Sequence, residues 1–93
     1  MPGTFTRDNG SPTREGQRNV LTGTLEANYV RTAFALMSTN SYIESCTAQC
    51  EDGVGTAQVQ LNVNAAGTAT RGSIAVYANH KDDATYRYRC VYI

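Results

Sequence analysis

The residues of this chain best suited to chemistry are three cysteines and a single histidine. Cys46 and Cys50 stand four apart in Cys46-Thr47-Ala48-Gln49-Cys50, a spacing that falls inside the C-x₂₋₄-C range of zinc modules. With Cys90 and His80 they can be written as three thiolates and one imidazole. His80 and Cys90 lack the close paired spacing of the second half of such a module, so no metal is expected. A Cys46–Cys50 or Cys50–Cys90 disulfide is the second alternative. It would need an oxidising setting or a finished particle outside the cell. The preferred reading is free thiols, because an odd number of cysteines without a secretion signal suggests them and cysteine commonly serves as a small buried hydrophobe.

The other chemical candidates read as turn chemistry. His80 lies in Asn79-His80-Lys81-Asp82-Asp83 and is expected in a solvent-exposed turn. The serines have no nucleophile-elbow context, so a Ser-His-Asp arrangement is not supported. Nothing places any two of Glu44, Glu51, Asp52, Asp82 and Asp83 in one cleft as glycoside hydrolysis requires, and neither acidic run has the alternating oxygen pattern of a calcium loop. Gly53-Val54-Gly55 lacks the third glycine and following helix of a phosphate loop. No catalytic, cofactor-binding or metal-binding residue is expected, and the chain does not read as an enzyme.

The elements that would carry these residues are strands. Gln58-Val59-Gln60-Leu61-Asn62-Val63-Asn64 alternates without a fault, which predicts a strand with Val59, Leu61 and Val63 toward a core. Strands are also expected over 73–78 and 85–93, and these three segments are expected to form an antiparallel meander. Upstream, Val20 to Tyr29 alternates, and Gly23 there marks a bulge or a close backbone approach. Residues 29–38 fit a strand or a helix, with strand preferred, and 42–47 reads as a short strand. In the last strand Tyr86, Tyr88, Cys90 and Tyr92 share one face, with the tyrosine hydroxyls expected to reach the rim. Arg87, Arg89, Val91 and Ile93 share the other. The expected fold is all-β: a small antiparallel β-sandwich or barrel with an extended polar N-terminal arm.

The arm is residues 1–19, preceding a single β-rich domain over 20–93. Met1 and Phe5 are its only large apolar residues, and Asp8-Asn9-Gly10-Ser11-Pro12 is a turn signal. Such a segment cannot bury enough apolar area to offset its ordering entropy unless something holds it. Phe5 is the candidate apolar anchor, with Arg7, Arg14 and Arg18 as charge-assisted donors. Arg87 and Arg89 are the candidate contacts on the sheet, since arginine and tyrosine dominate interface hot spots. Seven of the eight basic residues are arginine.

Bulk properties narrow the function. Formal net charge is zero, which argues against a nucleic-acid binder. No run approaches the 18 consecutive apolar residues of a membrane span. Met1 to Arg7 contains no apolar stretch of the secretory kind, so no signal peptide is expected. Residues 21–64 are acidic and 65–93 basic. The plain reading is solvated surface, and the sharper one is head-to-tail docking of copies.

Together these features point to a structural or assembly protein, made in the cytoplasm, that binds other protein subunits: copies of itself or a capsid protein. The specific expectation is a virion accessory subunit, a capsid cement or decoration protein, forming a homo-oligomer or part of a larger assembly. In layout the chain is similar to the small β-rich proteins that clamp phage capsids, although no motif carries that likeness. The alternative is a small β-sandwich ligand- or carbohydrate-binding module using Tyr86 or Tyr88 as a stacking platform. The absence of tryptophan counts against it.

Overall fold

A computed structural model describes residues 4–8, 13–78, 80 and 84–93. Among the described residues it contains eight strands and no helix. They are β1 (Phe5–Arg7), β2 (Thr13–Glu15), β3 (Arg18–Ala27), β4 (Thr32–Ala35), β5 (Ile43–Cys50), β6 (Thr56–Val63), β7 (Ala69–Ala78) and β8 (Ala84–Tyr92). All pair antiparallel in the order β1-β3-β8-β5-β6-β7-β4, with β2 also on β3. The sheet curls until it is nearly closed into a barrel. The all-β antiparallel expectation holds, and the ambiguous stretch 29–38 contains a strand.

The expected meander over the last three strands does not form. β6 pairs with β7, but β8 leaves β7 and lies between β3 and β5. The reason is edge occupancy. β4 takes the free edge of β7, with Thr32 opposite Val76 and Ala35 opposite Ser73. β8 instead finds two long partners, running from Asn19↔Tyr92 to Ala27↔Ala84 on β3 and from Ile43↔Tyr92 to Cys50↔Tyr86 on β5.

The alternation of β8 places its faces as the sequence suggests. Tyr86, Tyr88, Cys90 and Tyr92 are buried with Leu21, Leu25, Phe34, Ile43, Ile74 and Val76 in the core, while Arg87 and Arg89 face outward. The tyrosines go deeper than expected. Tyr86 and Tyr88 are 0% and 2% exposed, so they are core residues and not a rim. Burying an aromatic ring removes a large apolar area from water, and a 93-residue chain has few other large side chains with which to fill a barrel.

The Tyr88 hydroxyl donates to the Thr6 carbonyl at 3.3 Å. Burial of the phenol is the main reason its pKa lies above the ordinary value of 10.0. The neutral ring therefore favours the fold at all pH values below the unfolded tyrosine pKa. That contribution is lost as pH rises through the higher folded value. Urea midpoints are expected to fall between about pH 9 and about pH 11, and Tyr88→Phe is expected to flatten part of that fall. An unchanged slope in the variant would remove Tyr88 as the cause.

The cysteines differ from the expectation of free thiols. Cys46 and Cys90 form a disulfide, which is neither of the two pairs the spacing suggested. Cys46 lies directly across the β5–β8 ladder from Cys90, whereas Cys50 is across from Tyr86. Only Cys50 is a free thiol, and it is buried.

Candidate functional site

The arm lies on its own sheet. Because β8 occupies one edge of β3 along its length, β1 and β2 share the other: Phe5 to Arg7 stand opposite Leu25 to Gly23, and Thr13 to Glu15 opposite Val20 to Arg18. Residues 9–12, the heart of the Asp8–Pro12 turn signal, fall outside the described residues, as do Asn79 and 81–83.

Gly23 is what brings the arm close. A Cβ at this position would sit 2.0 Å from the Thr6 carbonyl oxygen and 2.6 Å from the Tyr88 hydroxyl. A side chain of any size there would push β1 off the barrel. The sequence signal of a close backbone approach at this glycine is thus realised.

All six expected contact residues are engaged within the chain. Phe5 packs on the core and meets Phe34 edge-on, ring centroids 6.3 Å apart. Arg7 donates to the Leu36 carbonyl. Arg14 donates to the Gly16 carbonyl at 3.2 Å, and Arg18 pairs with Glu44. Arg87 pairs with Asp8 at 2.5 Å and Arg89 with Glu15 at 3.5 Å. The last two pairs join the outward arginines of β8 to the arm across β3. Their arginine side chains are about half exposed, so each pair contributes about 0–1 kcal/mol. Phe5 and Arg7 do something different. Phe34 and Leu36 belong to the β4 end of the sheet, so these two residues bridge the seam between its first and last strands.

A second irregularity lies on the far side of β8. β5 and β6 pair only at Ala48↔Ala57 and Gln49↔Thr56. Beyond that point the Asn62 side chain takes over the ladder: its Oδ1 accepts from the Ile43 amide at 3.0 Å and its Nδ2 donates to the Ile43 carbonyl at 2.8 Å. The split leaves a shallow hollow of about 400 Å³ bordered by Cys46, Thr47, Ala48 and Val59. It also explains why Val59, Leu61 and Val63, the expected core row of β6, are only partly buried.

The loop after β5 gathers groups that the sequence kept apart. His80 Nε2 lies 3.0 Å from Asp52 Oδ2, and Cys50, Asp52 and His80 each bring one ligand-type atom within 4.8 Å of the others. His80 lies in an exposed bend, as expected, and there it meets Asp52 and Cys50. The spacing argument from three cysteines and one histidine missed this group because Asp52 and His80 are 28 residues apart and the other two cysteines are bound to each other. Hydrogen bonds from His80, the Val54 amide and Cys50 hold the Asp52 carboxyl well below the usual carboxylate range, against a smaller opposing effect of burial.

No known protein family, curated protein or solved structure matches the chain. Among the described residues no helix is long and apolar enough to cross a membrane.

Proposed function

We propose that this protein is a structural assembly subunit whose arm strand β1 pairs with β3 of a neighbouring copy. The observation that carries this reading is the seam: the barrel is closed through Phe5 on Phe34 and Arg7 on the Leu36 carbonyl. A neighbour's β1 can make the same contacts at no loss, which is the basis of strand exchange between identical subunits. The attachment is slight, three residues on one edge with exposed ion pairs. The link between β1 and β2 has the composition Asn9-Gly10-Ser11-Pro12. In this arrangement Phe5 anchors and Arg7 caps the neighbour's seam. Arg14 and Arg18 stay with the β2–β3 hairpin, and Arg87 receives Asp8 from the next chain.

Within that class we place it among the cement or decoration subunits of a virion shell. Zero formal net charge suits protein partners better than nucleic acid. The Cys46–Cys90 bridge suits a particle exposed to an oxidising exterior. The ligand-module reading loses its platform, because Tyr86 and Tyr88 are inside the barrel.

Thr6 and Thr24 stand directly opposite each other on β1 and β3, which gives a direct test. In a Thr6→Cys/Thr24→Cys variant also carrying Cys50→Ser, mild oxidation is expected to join chains into covalent oligomers. Light scattering on a gel-filtration column should show a closed oligomer for the parent protein. A monomer at all concentrations, with the new bond formed inside one chain, would sink the exchange and move the search to a shell made of another protein.

A further inference from the structure

We propose that Cys50, Asp52 and His80 form a binding site for a zinc-class divalent cation, three protein ligands with a fourth position left to water. The donor set is a thiolate, a carboxylate oxygen and an imidazole nitrogen, the mixture that borderline-soft Zn²⁺ prefers. Tetrahedral bonds of about 2.0–2.3 Å put neighbouring ligand atoms about 3.5 Å apart. The three atoms already lie within 4.8 Å of one another, so closing on an ion takes small side-chain movements and no rearrangement of the backbone.

The surroundings hold the ligands in place. Asp52 Oδ1 accepts the Val54 amide at 2.8 Å, which fixes the carboxylate and leaves Oδ2 turned toward His80. An outer hydrogen bond of this kind orients a metal ligand. The loop itself is tied at both ends, with the Cys50 amide donating to the Gly55 carbonyl at 2.8 Å and the Glu51 amide to the Thr85 carbonyl at 3.1 Å. Gly55 forms the seat of the imidazole. A Cβ there would lie 2.1 Å from the His80 Cγ, so only glycine lets the ring come this close. Cys50 is 5% exposed, while Asp52 and His80 are open to solvent. Binding requires the thiolate, so the Cys50 thiol gives up its proton to solvent as the metal–sulfur bond forms, and neutral His80 supplies a lone pair.

The bridge between Cys46 and Cys90 makes the test unambiguous, since Cys50 is then the sole source of a thiolate. Protein stripped with chelator, without reductant, is titrated with Co²⁺ and followed by absorbance, and with Zn²⁺ by calorimetry. One equivalent per chain is expected, with a sulfur-to-cobalt charge-transfer band that Zn²⁺ displaces. Cys50→Ser should abolish the band. Asp52→Asn and His80→Ala should each weaken Zn²⁺ binding at least about tenfold, and Gly55→Ala should weaken it without removing a ligand, in the range of about 10–100-fold known for altered supporting shells. Absence of the band and of Zn²⁺ heat in the parent protein overturns the site. So does a band that persists in Cys50→Ser, which itself replaces sulfur by oxygen with little change in volume.

Discussion

Reduction of the Cys46–Cys90 bridge is expected to cost the domain about 4 kcal/mol, from the chain entropy that a loop of this size restores to the unfolded state. The bridged residues are separated by 44 positions, which encloses about half of the chain. A small domain has a net stability of about 5–10 kcal/mol, so the bridge accounts for a large share of it. The location adds to the effect, because the bridge joins β5 to β8 in the middle of the sheet. Urea unfolding with and without reductant reads the difference. Cys50→Ser should leave that difference unchanged, while Cys90→Ser should make the protein insensitive to reductant. Equal midpoints for the parent protein in both conditions would mean that the bridge contributes nothing.

Gly23→Ala is expected to destabilise by about 3 kcal/mol, the upper part of the range for forcing atoms into a packed site. Three atoms crowd the added methyl, the Thr6 carbonyl oxygen at 2.0 Å, the Tyr88 hydroxyl at 2.6 Å and the Tyr88 Cζ at 2.8 Å. The first is backbone and the second can be removed. In a Tyr88→Phe background the loss should shrink only slightly, because the carbonyl remains. The easiest relief is for β1 to leave β3, so the chain should also become sensitive to trypsin at Arg7. If the variant keeps both the parent midpoint and the parent resistance to cleavage, the arm does not lie against β3.

Much of this architecture was legible from local pattern, and the limits have a common cause. β6 and β8 announce themselves through period-two alternation, which any strand with one buried face must show. The outward placement of Arg87 and Arg89 follows from the same rule. Gly23 amid β-formers signals either a bulge or a close backbone approach, and the structure shows the close approach. What could not be read was pairing between distant segments. Whether β8 joins β7 or inserts between β3 and β5 depends on which edges β4 and the arm have already taken. The Cys46–Cys90 match depends on that insertion, and so does the encounter of Cys50 and Asp52 with His80. The depth of β6 burial failed for a related reason. Alternation reports which side a residue faces, not whether the neighbouring strand continues alongside it, and β5 does not. The polar composition of the arm is plain in the sequence. The arm's pairing with β3 was hidden because three-residue strands carry too few side chains to show a period.

The insertion of β8 between β3 and β5 sets the pace at which this molecule can form. Its ladder joins Asn19 to Tyr92 and Ala27 to Ala84, so the centre of the sheet assembles only when segments from opposite ends of the 93 residues meet. Such non-local closure is paid in chain entropy before any contact rewards it, and refolding belongs on the millisecond-to-second scale of all-β topologies. During that interval the apolar sides of β3 and β5 stand without a cover. A dilute, cool refolding step therefore suits this protein better than a rapid jump at high concentration.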